Sequence, residues 1–357
     1  MFARGFFRTS FAVLSFAMPA TAAPYTLTIL NNMQTAYDVN ESGQVVGQSL
    51  TSLATRWDAV NGYLSLGDFA GGATFSNALG INNSGHIVGA GSTAAGQRAF
   101  RWDPVNGMVG LGTFAGGTYS VAYDINNFGQ IAGEADLAGG ITHAFRWDSI
   151  GGLLDLGDLP GMDNRSIGYA INDLGQVAGY SIAAGGVRAF RWDQSGGMQD
   201  LGELAGGPSI STGAGINDAG VVVGQSTDAS GNLGFTWDPA NGMRSIPDLP
   251  GGGVTTYADD ISNTGIVVGS SLTTGGYRAI IWTDTSGLVD LNTLISPSTF
   301  RLLDAYSISE SGYIVGRGLT SSGQLRGYLL APTATPLPSS ALLLAVGLLW
   351  TMRRRVA

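Results

Sequence analysis

Ala122-Tyr123-Asp124-Ile125-Asn126-Asn127-Phe128-Gly129-Gln130-Ile131-Ala132-Gly133 is one copy of a unit that recurs along this 357-residue chain. A small residue, two variable residues, Val or Ile, and then Asn or Ser open the unit. The small position is filled by Ala36, Ala78, Ala122, Gly168, Gly213, Ala258 and Ala305. A G-x-x-x-G segment follows, its first glycine at Gly43, Gly85, Gly129, Gly175, Gly220, Gly265 and Gly312. A third run reads Arg98-Ala99-Phe100-Arg101-Trp102-Asp103, and its tryptophan recurs at Trp57, Trp102, Trp147, Trp192, Trp237 and Trp282, each 45 residues after the last. A fourth run reads Met108-Val109-Gly110-Leu111-Gly112. A fixed period of this length marks a repeat architecture, here with seven copies.

Each run has strand length, and turn chemistry separates them. Asn126-Asn127-Phe128-Gly129 places Asn at the start and Gly at the end of a tight turn, where Gly takes the positive φ that a hairpin with a bulge requires. Asp103-Pro104-Val105-Asn106-Gly107 does the same between runs three and four. A longer glycine-closed crossing, Leu111 to Gly117, leads to the next unit. Four antiparallel strands and one crossing describe a propeller blade. The small residues of runs one and two belong near the crowded axis, and the alternating Phe100 and Trp102 of run three fill the wedge between blades. Full burial of each such side chain is worth roughly 1.5 to 3 kcal/mol. The tryptophans are expected to form the packing between blades.

Run four is missing after the seventh copy, which stops at Arg326-Gly327-Tyr328-Leu329-Leu330, whereas an unpaired strand-like run, Tyr25 to Leu30, precedes the first copy. The N-terminal run is expected to supply the missing outer strand, closing the ring and removing an exposed sheet edge. The expected fold is an all-β, seven-bladed β-propeller over residues 23–332.

Composition bounds the rest. No Cys excludes disulfides and thiol chemistry, and 56 Gly with only 12% charged residues fits a turn-dense β chain. A net charge of -9 with 17 Lys and Arg argues against a nucleic-acid partner. The chain is expected to be a monomer.

Both ends read as addresses. Arg4 and Arg8 precede the apolar stretch Phe11 to Met18, and Ala20-Thr21-Ala22 offers a small-x-small cleavage site, so 1–22 is expected to be a secretory signal peptide cut after Ala22. Residues 333–357 carry Pro336-Leu337-Pro338, the apolar stretch Ala341 to Met352, and Arg353-Arg354-Arg355. That stretch is short for a spanning helix, which needs about 20 residues, but counting back to Leu337 and letting the arginines snorkel makes a short transmembrane helix, with the basic cluster held in the cytoplasm.

This tail resembles the tripartite sorting signal of Gram-negative exosortase substrates, the PEP-CTERM family, with Leu337 where that family most often has Glu. The resemblance implies transient anchoring in the inner membrane and processing by an exosortase-type membrane transpeptidase. The repeats are similar to the bacterial extracellular HAF repeat family, whose naming tripeptide stands here as His143-Ala144-Phe145, with Arg-Ala-Phe at Arg98 and Arg188. This implies a secreted protein of the cell surface or extracellular matrix and brings no catalytic residues.

Candidate chemistry should appear as a departure from the unit. His143 stands where Arg98, Arg188 and Arg278 stand, and His86 where Gln44, Gln130 and Gln176 stand; both are expected to be solvent-facing strand residues rather than bases. Asp58, Asp103, Asp148, Asp193 and Asp238 follow the tryptophans and are expected to cap turns. Asp38-Val39-Asn40-Glu41-Ser42-Gly43 and Asp124 to Gly129 match half of a calcium loop, without its closing Glu, and the first ligand is lost at Gly80, Ala170, Gly215 and Ser307. Off-pattern carboxylates are Glu134, Asp136, Asp163, Asp228 and Asp259, of which two would have to converge for glycoside hydrolysis. The expectation is a non-enzymatic module with no catalytic, cofactor or metal residues, binding exopolysaccharide or surface proteins. The alternatives are a carbohydrate-active enzyme on a propeller scaffold and a calcium-binding propeller.

Overall fold

The computed structural model describes residues 23–161 and 164–333 and contains seven four-stranded antiparallel sheets arranged as a propeller. The signal segment 1–22, with Ala20 and Ala22, lies outside the described residues, as do Pro336, Leu337, Pro338, the apolar stretch after them, and Arg353, Arg354 and Arg355. Among the described residues no helix is long and apolar enough to cross a membrane. In the third blade the strands run Ser120–Ile125, Ile131–Asp136, Thr142–Asp148 and Gly152–Asp155 from the axis outward. The N-terminal strand Tyr25–Leu30 pairs antiparallel with Leu325–Pro332 and is the outer strand of the seventh blade, closing the ring as the ends of the sequence predict.

The inner strand of every blade carries a β-bulge at the residue after the small position, so that pairing jumps from Ala122 to Asp124 and, in the same place, from Ala36 to Asp38 and from Ala258 to Asp260. The extra residue bends the strand and brings two consecutive side chains, such as Tyr123 and Asp124, to the axis. Next to the bulge, the inner strand also comes close to the second glycine of the G-x-x-x-G segment. A Cβ on Gly89, Gly179 or Gly224 would stand 1.9 Å from the carbonyl oxygen of the inner-strand residue just before the small position. The crowding expected from the sequence is thus the close approach of a backbone carbonyl on the neighbouring strand.

The wedge between blades is filled mainly two residues before each tryptophan. Phe100, Phe145, Phe190 and Phe235 have no exposed surface, and Ile280 and Tyr328 take the same place in the last two blades. Blade one has Thr55 there, and the fully buried Met33 reaches over Gly47 instead. The tryptophans add to this packing as expected: Trp102, Trp192, Trp237 and Trp282 are buried in clusters with the preceding blade, whereas Trp57 and Trp147 are only half-buried. Arg146 lies 5.3 Å from the Trp192 ring centre and Arg191 5.1 Å from that of Trp237, so one blade's arginine covers the next blade's indole. Buried serines add a second tie. The hydroxyls of Ser76, Ser120, Ser166 and Ser211 accept from the N–H of Ala54, Ala99, Ala144 and Ala189 in the preceding blade and donate to the carbonyls of Gly67, Gly112, Gly157 and Gly202.

At the end of the channel where the inner hairpins turn, hydrogen bonds circle the axis. The backbone N–H of Glu41 donates to Asn83 Oδ1, Asn83 to Asn127, Asn127 to Asp173, Asp173 to Asp218, Asp218 to Asn263, Asn263 to Glu310, and Glu310 back to Glu41 Oε1, over 2.6 to 3.1 Å. Beneath it, Asn40, Asn82, Asn126, Asn172 and Asn217 each donate Nδ2 to the next blade's carbonyl at the same position; the relay ends at Ser262, which has no amide to pass it on.

Phe145→Ala is expected to cost about 3 to 5 kcal/mol, the range for emptying a buried aromatic site, and Trp147→Ala about half of that, because Trp147 keeps part of its surface in solvent. Denaturant titration of both variants checks the order; an equal or larger loss at Trp147 would give the tryptophan the larger share of the wedge packing.

Candidate functional site

The bulges line the channel with two positions per blade. The deeper one holds Asp38, Gly80, Asp124, Ala170, Gly215, Asp260 and Ser307. Asp38 Oδ2 accepts from Ile81 N, Asp124 Oδ2 from Ile171 N and Asp260 Oδ2 from Ile308 N, each at 2.7 to 2.9 Å and each in the next blade, while Ser307 Oγ donates to Asp38 Oδ1. Burial pushes the Asp38 carboxyl up to about 6 against these hydrogen bonds. Burial and the Asp38 charge push Asp124 up to about 7, and burial raises Asp260. The oxygens that a calcium loop would use are therefore engaged elsewhere: Asp38 and Asp124 bind neighbouring blades, and Asn40 and Asn126 turn Oδ1 onto the N–H groups of their own hairpins. Among the described residues no three His, Asp or Glu side chains gather as a metal centre.

The other end of the channel is built from positions at which the blades differ. The bulge residue is Tyr37, Leu79, Tyr123, Tyr169, Ala214, Asp259 or Tyr306, and these surround a cavity of about 120 Å³. The residue after the second glycine of each hairpin is Gln48, Ala90, Glu134, Tyr180, Gln225, Ser270 or Arg317. Two walls result. Blades three and four contribute Tyr119, Tyr123, Glu134, Tyr169 and Tyr180, in which Glu134 Oε1 accepts from the hydroxyls of Tyr119 and Tyr123 at 3.0 and 2.7 Å. Blades six, seven and one contribute Asp259, Asp304, Tyr306, Arg317 and Tyr37. Arg317 Nε stands 2.6 Å from Asp304 Oδ2 and its guanidinium 5.8 Å from the Tyr306 ring centre; the Tyr37 ring lies 5.8 Å from that of Tyr306, tilted by 33°. Small or uncharged residues at Leu79, Ala90, Ala214 and Gln225 leave blades two and five, nearly opposite each other in a sevenfold ring, as the low sides. Burial, helped by the charges of Asp304 and Asp260, pushes Asp259 up to about 8. Burial with the neighbouring Tyr180 and Glu134 pushes the Tyr169 phenol up to about 12.

The sequence-flagged carboxylates divide between these regions. Glu134 and Asp259 stand in opposite walls of the mouth. Asp136 accepts from the N–H of Thr118 and Tyr119, both at 2.7 Å, and so seats Tyr119. Asp228 caps its own turn through Ser230, and Asp163 lies outside the described residues. Asp304, which sequence reading passed over, faces Arg317 across the strand pair. Asp58, Asp103, Asp148, Asp193 and Asp238 cap turns as expected, each accepting backbone N–H groups two and three residues on. In Asp148 those bonds hold the carboxyl below its usual range. The expectation that both histidines face solvent is corrected. His143 is largely buried, with Nδ1 2.9 Å from Asp155 and Nε2 3.9 Å from Asp158, because its register position pairs with an acid, as Arg188 does with Glu203. His86 is half-buried near the turn end.

No family model and no curated protein matches the sequence. Solved structures align over most of the chain at low identity. TolB from Acinetobacter baumannii is 12% identical over 89% of this chain and 86% of its own, with a TM-score of 0.42. A protein assigned as TolB from Agrobacterium tumefaciens is 13% identical over 84% and 91%, at 0.45. A protein assigned as a gluconolactonase is 12% identical over 88% and 94%, at 0.44.

The channel aspartates carry a pH signature. Asp38 and Asp124 keep their protons to about 6 and 7 in the fold but lose them near 4 in an unfolded chain. Between those values the folded chain binds more protons, so its stability falls as pH rises through this window. Below about pH 4 the turn-capping aspartates, whose carboxyls are held low, act in the opposite sense. Maximal stability is expected near pH 4 to 5, and Asp124→Asn should flatten the decline above it. Unfolding midpoints measured from pH 3 to 9 check this; a steady rise to pH 8 would contradict it.

Proposed function

We propose that this chain is an exported, non-enzymatic protein of the cell surface or extracellular matrix, whose propeller binds an extended partner across one mouth of its channel. The observation that carries the reading is the division of labour among repeat positions. Those that recur in blade after blade are spent on turns, wedge packing and ring closure, whereas the positions at which blades differ gather tyrosines and charges at a single mouth. Two aromatic walls with low sides at blades two and five form a cleft suited to a chain laid across the axis, such as an exopolysaccharide, with tyrosine faces and carboxylates as its contacts.

Export rests on the ends of the sequence. The segment ending at Ala22 is the signal peptide in this reading. The tail with Pro336-Leu337-Pro338 and Arg353, Arg354 and Arg355 is a PEP-CTERM-like address that anchors the chain briefly in the inner membrane for an exosortase-type transpeptidase. Mass spectrometry of surface-exposed protein is expected to find a chain starting at Ala23 and ending near the Pro motif. An intact Val356-Ala357 end would overturn the sorting reading.

A second reading, a carbohydrate-active enzyme, is favoured by one observation. Burial and the charge of the arginine-paired Asp304 push the Asp259 carboxyl up to about 8, and an acid with a carboxylate is the pair that glycoside hydrolysis uses. Incubation with the producing cell's own exopolysaccharide separates the two. Binding without release of reducing ends is expected; release that disappears in Asp259→Asn would establish the enzyme.

A further inference from the structure

One register position, the residue after the second glycine of the inner hairpin, carries opposite charges in two blades of the same mouth. In blade seven it is Arg317, seated between the Tyr306 face and the Asp304 carboxylate. The chain itself thus supplies a cation held by an aromatic ring and a counter-ion. In blade three the position is Glu134, which is only 3% exposed. Its Oε1 is satisfied by Tyr119 and Tyr123, but its Oε2 is buried without a hydrogen-bond partner. Glu134 takes part in none of the ion pairs among the described residues. Around it the rings pack closely: Tyr123 stands edge-on to Tyr169 at 5.0 Å, and Tyr169 meets Tyr180 at 5.9 Å.

A buried carboxylate oxygen without a donor costs about 1 to 3 kcal/mol or more. Both phenol hydrogens nearest Glu134 already point at Oε1, so what the cluster has left to offer is an acceptor and the faces of its rings. An anion would be repelled by the Glu134 carboxylate and could meet only Arg165, out at the rim. A neutral sugar would satisfy Oε2 through a hydroxyl and could lay its C–H edges on the rings, but it brings no charge to balance the carboxylate. An organic cation uses both, through its charge on the carboxylate and its attraction to the rings.

We propose that the Glu134 cluster binds an organic ammonium group, with Tyr123, Tyr169 and Tyr180 as the faces around it and Glu134 as its counter-ion. The blade-three site then completes with a ligand what Arg317 completes within the chain in blade seven. The proposal rests on the reading that this mouth is the binding end and names the chemistry it takes. Arg165, exposed at the rim, places positive charge near Tyr119, Tyr169 and Tyr180 and competes with an incoming cation.

The test titrates the purified protein with tetramethylammonium chloride, glucosamine and lysine amide, with glucose and N-acetylglucosamine as neutral controls, followed by calorimetry. The ammonium probes are expected to bind and the neutral ones not, and the tightest of the three identifies the source of the group. Glu134→Gln should weaken binding at least tenfold, and Arg165→Ala should strengthen it severalfold. Equal binding of glucosamine and glucose, no binding of any ammonium probe, or unchanged affinity in a folded Glu134→Gln variant overturns the proposal. Exopolysaccharide binding would in each case still stand as a separate result for the module. Should Glu134→Gln fail to fold, Arg165→Ala decides, and an unaltered affinity for tetramethylammonium there also overturns it.

Discussion

The circle of hydrogen bonds from Glu41 through Asn83, Asn127, Asp173, Asp218 and Asn263 to Glu310 and back is the constraint on which the rest of the molecule depends. Each link joins a backbone N–H of one hairpin turn to a side chain of the next, so the turns must lie at a fixed spacing around the axis. That spacing sets the angle between sheets, and the angle sets the wedge that Phe100, Phe145, Phe190 and Phe235 fill. It also sets the width of the channel into which the bulged residues project. Because the last link joins Glu310 to Glu41, residues far apart in sequence, the ring is completed only when the first and last blades meet.

Much of this was legible in the sequence because the period made each position visible seven times. The turn glycines, the turn-capping aspartates, the blade count and the closing strand Tyr25–Leu30 are all local signals repeated until they became unambiguous. The bulge was not legible. A bulge is a property of pairing between strands, and nothing in Tyr123 itself announces that Ala122 and Asp124 are adjacent in the ladder. With the bulge unseen, the pair of positions facing the axis was unseen too, and with it the tyrosines of the mouth. The second glycine was legible as crowding near the axis, but the sequence did not show that a backbone carbonyl of the inner strand is what crowds it. Asp304 was passed over for the same cause, because it faces Arg317 only through the shifted register.

His143 shows a different limit. Its equivalence with Arg98, Arg188 and Arg278 marks it as a repeat position, but equivalence of position does not report environment. The position is one where a basic side chain meets an acid near the fourth strand, and Asp155 and Asp158 give the imidazole the same company that Glu203 gives Arg188.

The strand Leu325–Pro332 leads directly to Thr333 and is clasped on both sides, by Tyr25–Leu30 and by Ile314–Leu319. Thr333 in turn bonds to Ala23 and Pro24, so the two ends of the folded region leave side by side. A pull transmitted through residue 333 acts along the strand axis and loads the ladders on both flanks at once, in shear, instead of opening them one rung at a time. A propeller held by that end would resist detachment with most of its seventh blade, and drag on whatever lies across the channel would reach the tether without first prising the ring apart.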